Sequence, residues 1–122
     1  MVLPPRSYRD LEVWQKAMDL VLECYRITQH FPKNEMYGLA SQLQRAAVSV
    51  PANIAEGQGR QHTQEFIQYL SIVYGSLAEL EIHIQIAQRL DYITTVQTEQ
   101  LLARTGEVGR MLNGLLRSLR NK

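Results

Sequence analysis

The sequence lacks several features that mark specialised classes of protein. One cysteine, Cys24, excludes an intrachain disulfide, and three histidines leave few ligands for a metal site. No run approaches the roughly eighteen consecutive apolar residues of a membrane-spanning helix. The start MVLPPRSYRD has no apolar stretch of the kind found in secretory signals. We therefore expect a cytoplasmic protein that is neither secreted nor membrane-spanning.

An excess of either charge is also missing. The chain carries 13 Lys and Arg residues against 12 Asp and Glu residues, for a net charge of +1. Such a balance gives no overall attraction to nucleic acid or to acidic membranes, although local patches can still bind. At 122 residues the chain has the size of one domain. We expect that domain to span residues 1–122, with an N-terminal arm at 1–9 and a frayed end at 119–122.

Hydrophobic periodicity predicts four helices and no strands. Short connections between them favour an all-α, antiparallel up-down-up-down four-helix bundle. Pro51 lies inside the second helical pattern and predicts a kink rather than a break, because the apolar spacing continues through Ile54 in the same phase. The predicted N-caps of the four helices are, in order, Asp10, Asn34, Thr63 and Thr94, the last with Gln97 in a capping box.

Polar residues recur on one stripe of the second helix, within residues 42–60, at spacings of four, four and three. A second polar stripe on the third helix contains Ser76, Glu79 and His83. We predict that the stripes form a structural network, in which Arg45 pairs with Glu79 and Asn53 bonds across the same seam. The alternative is a ligand-binding surface. The predicted network comprises Arg45, Ser49, Asn53, Glu56, Ser76 and Glu79.

The first helix carries two apolar stripes, although a solitary surface helix needs only one. The first stripe consists of Leu11, Trp14, Met18, Val21 and Tyr25. The second consists of Val13, Ala17, Leu20, Cys24 and Ile27, and we predict that it forms part of a subunit interface. Trp14 and Tyr25 are candidate anchors of such an interface, with the chain's own core as the alternative for both.

Basic residues gather in the last helix and tail, where they could contact phosphates. The alternative is a solvated outer face that keeps the protein soluble. The candidate phosphate contacts are Arg104, Arg110, Arg117, Arg120 and Lys122.

No residues suggest catalysis, a cofactor or a metal. Neither Glu79 nor Glu81 has a histidine three residues later, as di-iron bundles require. Gly57 and Gly59 follow a helix rather than a strand, so we interpret them as a helix stop and not as a phosphate loop. Cys24 lies among apolar residues, where a thiol is inert. We therefore predict that the protein is not an enzyme.

Four motifs carry a family resemblance: DLEVW at 10–14, QLQRAA at 42–47, SVPANIAEG at 49–57 and GSLAELE at 75–81. In combination, they resemble the bacterial four-helix bundle proteins, also called ribosomal RNA intervening-sequence proteins. The resemblance covers about residues 8–118. It implies a homopentameric ring of four-helix bundles, and kinship to accessory proteins of diversity-generating retroelements, which bind nucleic acid and a reverse transcriptase.

Two function hypotheses follow. In the first, the protein is a non-enzymatic oligomeric scaffold that binds itself, structured RNA or DNA and a protein partner. In the second, it is a structural or protein-interaction ring without nucleic-acid binding. Binding of nucleic acid that weakens as salt rises separates the two hypotheses, because phosphate contacts release counterions.

Overall fold

Four long helices make up most of the chain. The structure is a computed structural model that describes residues 7–121. Within that range, the elements are a 3-10 turn (Tyr8–Asp10), α1 (Glu12–Thr28), a second 3-10 turn (Lys33–Glu35), α2 (Leu39–Gly59), α3 (Thr63–Arg89) and α4 (Thr95–Arg120), with no strand. The predicted all-α four-helix bundle is confirmed.

Each helix packs against the next one along the chain, and α1 also packs against α4. The pairs α1 and α3, and α2 and α4, make no such contact within residues 7–121 and therefore lie on opposite sides of the bundle. Ser49 of α2 contacts Ser76 of α3, and Gly57 of α2 lies against Tyr69 of α3. Higher residue numbers on α2 therefore contact lower residue numbers on α3. This order is expected of neighbouring helices that run in opposite directions.

All four helices contribute apolar side chains to one core, from positions three and four residues apart. Burying such side chains is the main force that holds a bundle of this kind together. The largest fully buried hydrophobic side chains are Leu20, Leu43, Ile54, Leu70, Leu80, Ile84, Leu101 and Leu112.

The predicted subunit interface on α1 is wrong. Its five residues, Val13, Ala17, Leu20, Cys24 and Ile27, are at most 8% exposed and belong to the chain's own core. The reason is that α1 lies against two helices: Thr28 contacts Gln44 of α2, and Lys16 contacts Glu107 of α4. The stripe that retains free surface is the other one, where Met18 and Tyr25 are 37% and 42% exposed.

The cap of α4 is confirmed. Thr94 Oγ1 accepts the backbone N–H of Gln97 at 3.0 Å, and Gln97 Oε1 accepts the N–H of Thr94 at 2.8 Å. Together, the two bonds form the capping box and satisfy two backbone donors that the helix itself leaves free.

The other three predicted caps are wrong: Leu11, Gly38 and His62 precede α1, α2 and α3, none with a side-chain cap bond. Asp10 lies instead in the first 3-10 turn, and Asn34 in the second. At α2 the capping acceptor comes from that second turn, where Glu35 Oε1 accepts the N–H of Leu39 at 3.2 Å. A carboxylate four residues ahead of the helix therefore replaces the expected asparagine.

Helix α2 is unbroken from Leu39 to Gly59, with Pro51 buried inside it. The kink at Pro51 stays a prediction. Helix α2 ends at Gly59, as predicted, but the interpretation of Gly57 as part of the stop is wrong, since Gly57 is a buried helical residue. The chain turns two residues after the end of α2, at Gln61, whose φ of 62° lies in the left-handed region. That conformation is uncommon outside glycine.

Helix α4 continues through Arg120, and Leu119 is buried in the core. The fraying predicted for 119–122 is therefore not observed at Leu119, because its side chain is held by packing. Lys122, like residues 1–6 of the predicted arm, lies outside the described residues.

Candidate functional site

The seam between α2 and α3 holds a small polar network. Ser49 Oγ lies 2.8 Å from Ser76 Oγ, and Asn53 Nδ2 donates to the carbonyl oxygen of Ser49 at 2.8 Å and to its Oγ at 2.9 Å. The two helices approach closely because Gly57 has no side chain. A Cβ at Gly57 would lie 2.6 Å from Cβ of Tyr69. The structure therefore brings together three of the six residues of the predicted network.

The predicted pair of Arg45 and Glu79 is wrong. Arg45 is exposed and, among residues 7–121, has no carboxylate within 4.0 Å, whereas Glu79 Oε1 lies 3.4 Å from Nε2 of His83. A four-residue step along a helix turns about 40° past a full turn, so Arg45 lies about 80° around α2 from Asn53. Ser49 therefore faces α3 while Arg45 projects from the seam. The predicted bond of Asn53 across the seam is wrong, because within residues 7–121 the Asn53 amide donates only to Ser49 of its own helix.

Glu56, the last residue of the polar stripe on α2, bonds away from the network. Nη2 of Arg60 donates to Glu56 Oε1 at 3.3 Å and to the hydroxyl of Tyr69 at 2.7 Å. The Tyr69 hydroxyl in turn donates to Glu56 at 3.3 Å. The sequence analysis missed this group, although a carboxylate four residues before an arginine on one helix is a pattern that predicts such a pair.

The outward part of the polar stripe lines an open groove of about 560 Å³ between α1 and α2. Tyr25 forms its α1 side, and Ser41, Arg45, Val48 and Ala52 line it on α2. Small side chains on α2 alternate along this groove with the longer ones of Gln44, Arg45 and Glu56. The stripe thus contributes both to the internal seam and to a free surface.

A second groove, of about 520 Å³, runs between α1 and α4. Ile27 and Leu101 form its apolar part, and Lys16 Nζ lies 3.6 Å from Glu107 Oε1 across it. Arg104 also lines this groove. Arg104 is therefore separated from the other predicted phosphate contacts, since Arg110 lies about 120° from Arg104 around α4.

Arg110, Arg117 and Arg120 share one exposed side of α4. Arg117 and Arg120 line a recess of about 320 Å³ together with Asn113. The hydroxyl of Tyr74 on α3 donates to Asn113 Oδ1 and to the carbonyl oxygen of Gly109, which holds this part of α4 against α3. Three of the five predicted basic residues are therefore grouped, and Lys122 lies outside the described residues.

Two exposed apolar faces lie on helices that are not neighbours. The face on α1 contains Met18, Leu22 and Tyr25. On α3, Ile72, Ile82 and Ile86 are 52%, 57% and 40% exposed. The sequence analysis did not identify the second face. Isoleucine at 72, 82 and 86 follows the same three-and-four spacing as the core positions, so periodicity shows two apolar sides of α3 but not which is buried.

The potentially reactive side chains are buried apart from one another. Burial, with a smaller contribution from the neighbouring Glu23 carboxylate, raises the pKa of the Cys24 thiol to about 12. Nδ1 of His83 is buried without a hydrogen-bond partner in the described part of the chain. Between residues 7 and 121, no three His, Cys, Asp or Glu side chains come close enough to hold a metal ion.

None of the helices in the described range combines the length and apolar character needed to cross a membrane.

Comparison with known proteins identifies the family. The family model described as 23S rRNA-intervening sequence protein matches residues 9–114. A similar solved structure is that of a protein of unknown function from the S23 ribosomal protein family of Bacteroides thetaiotaomicron. It is 24% identical, with a TM-score of 0.77, and the match covers 85% of this chain and 97% of that one. At that identity, the likeness supports the fold alone. No curated protein matches the chain. The match over residues 9–114 shows that the chain belongs to the 23S rRNA-intervening sequence protein family.

Proposed function

We propose that this protein is a non-enzymatic, homo-oligomeric scaffold that forms a ring. The observation that carries the proposal is the pair of exposed apolar faces on α1 and α3, which lie on opposite sides of the bundle. Association through two unlike faces is head-to-tail, and such contacts generate closed rings when the rotation between copies permits. Five copies are the number that the family resemblance implies.

Exposed apolar surface supports association for a physical reason. Single exposed hydrophobic residues are normal, but a continuous row indicates an interaction site. Ile82 and Ile86 are a helical turn apart and both are at least 40% exposed. Covering such a row removes apolar area from water at a gain of about 25 cal/mol per Å².

Light scattering on the purified protein tests the oligomer. At micromolar concentration, we expect a mass near five times the 14.0 kDa of one chain. A mass of one chain at that concentration would overturn the proposed ring, and a different multiple would revise only the number of copies.

The scaffold is further proposed to bind structured RNA or DNA through the basic side of α4. Arg110, Arg117 and Arg120 are exposed and close enough in sequence to follow a phosphate backbone. A ring repeats this side in every copy, so weak contacts add up through multivalency. This arrangement could compensate for the near-neutral charge of the single chain.

Binding of a labelled RNA hairpin and a labelled DNA duplex at two ionic strengths tests this role. We expect the affinity to fall as salt rises, because each neutralised phosphate releases counterions. The double variant Arg117→Ala, Arg120→Ala should bind more weakly with a smaller salt dependence. Arg104→Ala is the matched control on the other groove and should bind like wild type.

The second candidate function is a protein-interaction ring without nucleic-acid binding. The net charge of +1 favours it, since most proteins that hold nucleic acid by its phosphates are more basic. An absence of binding at low salt, with the oligomer intact, would select this alternative.

A further inference from the structure

The exposed face of α3 forms a regular ridge. Ile72, Gly75, Glu79, Ile82 and Ile86 are all exposed and follow one another at steps of three, four, three and four residues. This spacing is that of a helix seam that packs against another helix. We call these five residues the isoleucine ridge. Glu79 at its centre is its only charged residue.

The groove between α1 and α2 has the complementary form. Ser41, Arg45, Val48 and Ala52 line it at steps of four, three and four residues, with Tyr25 beside them. We call these five residues the small-residue groove. Bulky side chains on one helix pack into the depressions left by small side chains on another. Two charged residues line the whole groove, Arg45 and Glu56, and Glu56 already accepts hydrogen bonds from Arg60 and Tyr69.

The charge of the groove that lacks an ion-pair partner in residues 7–121, Arg45, is opposite in sign to the charge of the ridge, Glu79. Arg45 has no carboxylate within 4.0 Å in residues 7–121. The side chain of Glu79 is 63% exposed, and only one of its oxygens approaches His83. A charge at the centre of a packed seam must be paired when water is excluded, or it opposes association. Each surface therefore carries the partner that the other lacks.

We propose that copies of this chain associate by seating the isoleucine ridge of one copy in the small-residue groove of the next, with Glu79 paired to Arg45 across the contact. The proposal rests on the proposed homo-oligomer and adds the surfaces that build it. Ridge against ridge would bring two Glu79 carboxylates together, and groove against groove would bring two Arg45 guanidinium groups together. Like charges across an interface cost several kcal/mol. Each contact therefore joins two unlike surfaces, a ridge and a groove.

Charge reversal tests the contact directly. The proteins to compare by light scattering over a dilution series are wild type, Arg45→Glu, Glu79→Arg and the double variant with both changes. Each single variant places like charges together, and the dissociation midpoint should rise about 30-fold or more. The double variant restores an unlike pair at every contact and should assemble within a few-fold of wild type.

A second variant tests the ridge without the ion pair. Ile82→Lys places a charge on the apolar part of the ridge, one helical turn from Glu79, and should abolish assembly at the concentration where wild type is oligomeric. Glu99→Arg and Arg104→Glu are matched controls, since both residues are exposed and lie on α4, off the ridge and the groove. Both should assemble like wild type. Circular dichroism should report the same helix content for every variant, because all the substituted positions are at the surface.

The outcomes separate this inference from the proposed function. If wild type is a monomer, the proposed oligomer fails and this inference fails with it. If wild type is oligomeric but the charge-reversed single variants or Ile82→Lys assemble equally well, only this contact is overturned. If the single variants dissociate and the double variant does not recover, the direct pairing of Arg45 with Glu79 is overturned. Loss in the single variants with recovery in the double variant supports it.

Discussion

Two seams of this bundle are built on different principles. Between α2 and α3, Gly57 lies directly against Tyr69 and the hydroxyl groups of Ser49 and Ser76 meet at 2.8 Å. Between α1 and α4, a groove of about 520 Å³ remains open at the surface, and Lys16 and Glu107 reach across it at 3.6 Å. The first seam is closed by small residues and the second is bridged by long ones.

The difference shows how side-chain size determines the distance between helices. Alanine, serine and glycine along α2 let the backbones approach, so short polar side chains can bond within the seam. Long charged side chains need space and keep their ends in water, where an ion pair gains little. Four changes test this comparison, from the largest expected effect to the smallest.

The closed seam should be most sensitive at Gly57. In Gly57→Ala, the new Cβ would lie 2.6 Å from Cβ of Tyr69 and 3.0 Å from Cδ1 of Phe66, so the helices must move apart. We expect the free energy of unfolding to fall by about 2 kcal/mol, because overpacking outweighs the gain of about 1 kcal/mol in helix propensity. Denaturant melts at one protein concentration measure this change.

Gly59→Ala is the control for that substitution, since no atom lies within 4 Å of the added Cβ. It should leave the free energy of unfolding unchanged or raise it by up to about 1 kcal/mol. Equal effects at Gly57 and Gly59 would show that the α2 and α3 seam is not tightly closed.

The ionisation of the Cys24 thiol on α1 can be used to test whether the core excludes water beside the open seam between α1 and α4. Burial raises the pKa of its thiol from 9.0 to about 12 in the folded protein. The unfolded thiol ionises first, so the contribution to stability is complete below pH 9 and is lost as the pH rises toward 12. From pH 8 to pH 10, the free energy of unfolding of wild type should fall by about 1.4 kcal/mol more than that of Cys24→Ala. Parallel losses in the two proteins would mean that the thiol is in contact with solvent.

The hydroxyl pair of the closed seam should have a moderate effect. Ser49→Ala removes the partner of Ser76 and of the Asn53 amide, and should lower the free energy of unfolding by about 1 kcal/mol. Ser49→Ala and Ser76→Ala combined should cost less than the sum of the two single changes, because both remove the same bond. Additive losses in this double-mutant cycle would indicate that the two hydroxyl groups do not interact.

The ion pair of the open seam should have the smallest effect. The side chains of Lys16 and Glu107 are 43% and 48% exposed, so their charges are largely screened by water. A double-mutant cycle with Lys16→Ala and Glu107→Ala should give a coupling energy below about 0.5 kcal/mol that decreases further at high salt. A coupling as large as that of Ser49 and Ser76 would contradict the contrast between the seams.

Features that depend on neighbouring residues could be predicted well. The capping box of Thr94 and Gln97 depends on residues three positions apart, and it is confirmed. The residue type of Asn34 favours it as the N-cap of α2. The capping bond comes from Glu35 instead, because the 3-10 turn places its carboxylate at the N–H of Leu39. The residue type indicated a helix start nearby without indicating which acceptor reaches it.

Features that depend on the packing of distant residues could be predicted only in part. The sequence predicts the polar stripe of α2, and Ser49 does meet Ser76 of α3, whereas Asn53 bonds to Ser49 of its own helix. The prediction that Arg45 lies in the same seam is wrong, because residues four apart do not form a straight line along a helix. The line turns gradually around the helix, so its first residue, Arg45, lies on the surface.

The sequence by itself determined the four helices, since the period of its apolar residues is that of a helix and short polar segments separate them. It also determined family membership, through motifs that span most of the chain. Only the tertiary structure decided which side of α1 and of α3 is buried. Periodicity reports that Leu20 and Leu22, or Ile84 and Ile86, are apolar, but burial depends on where the neighbouring helices lie. The structure places Leu20 and Ile84 in the core and leaves Leu22 and Ile86 at the surface.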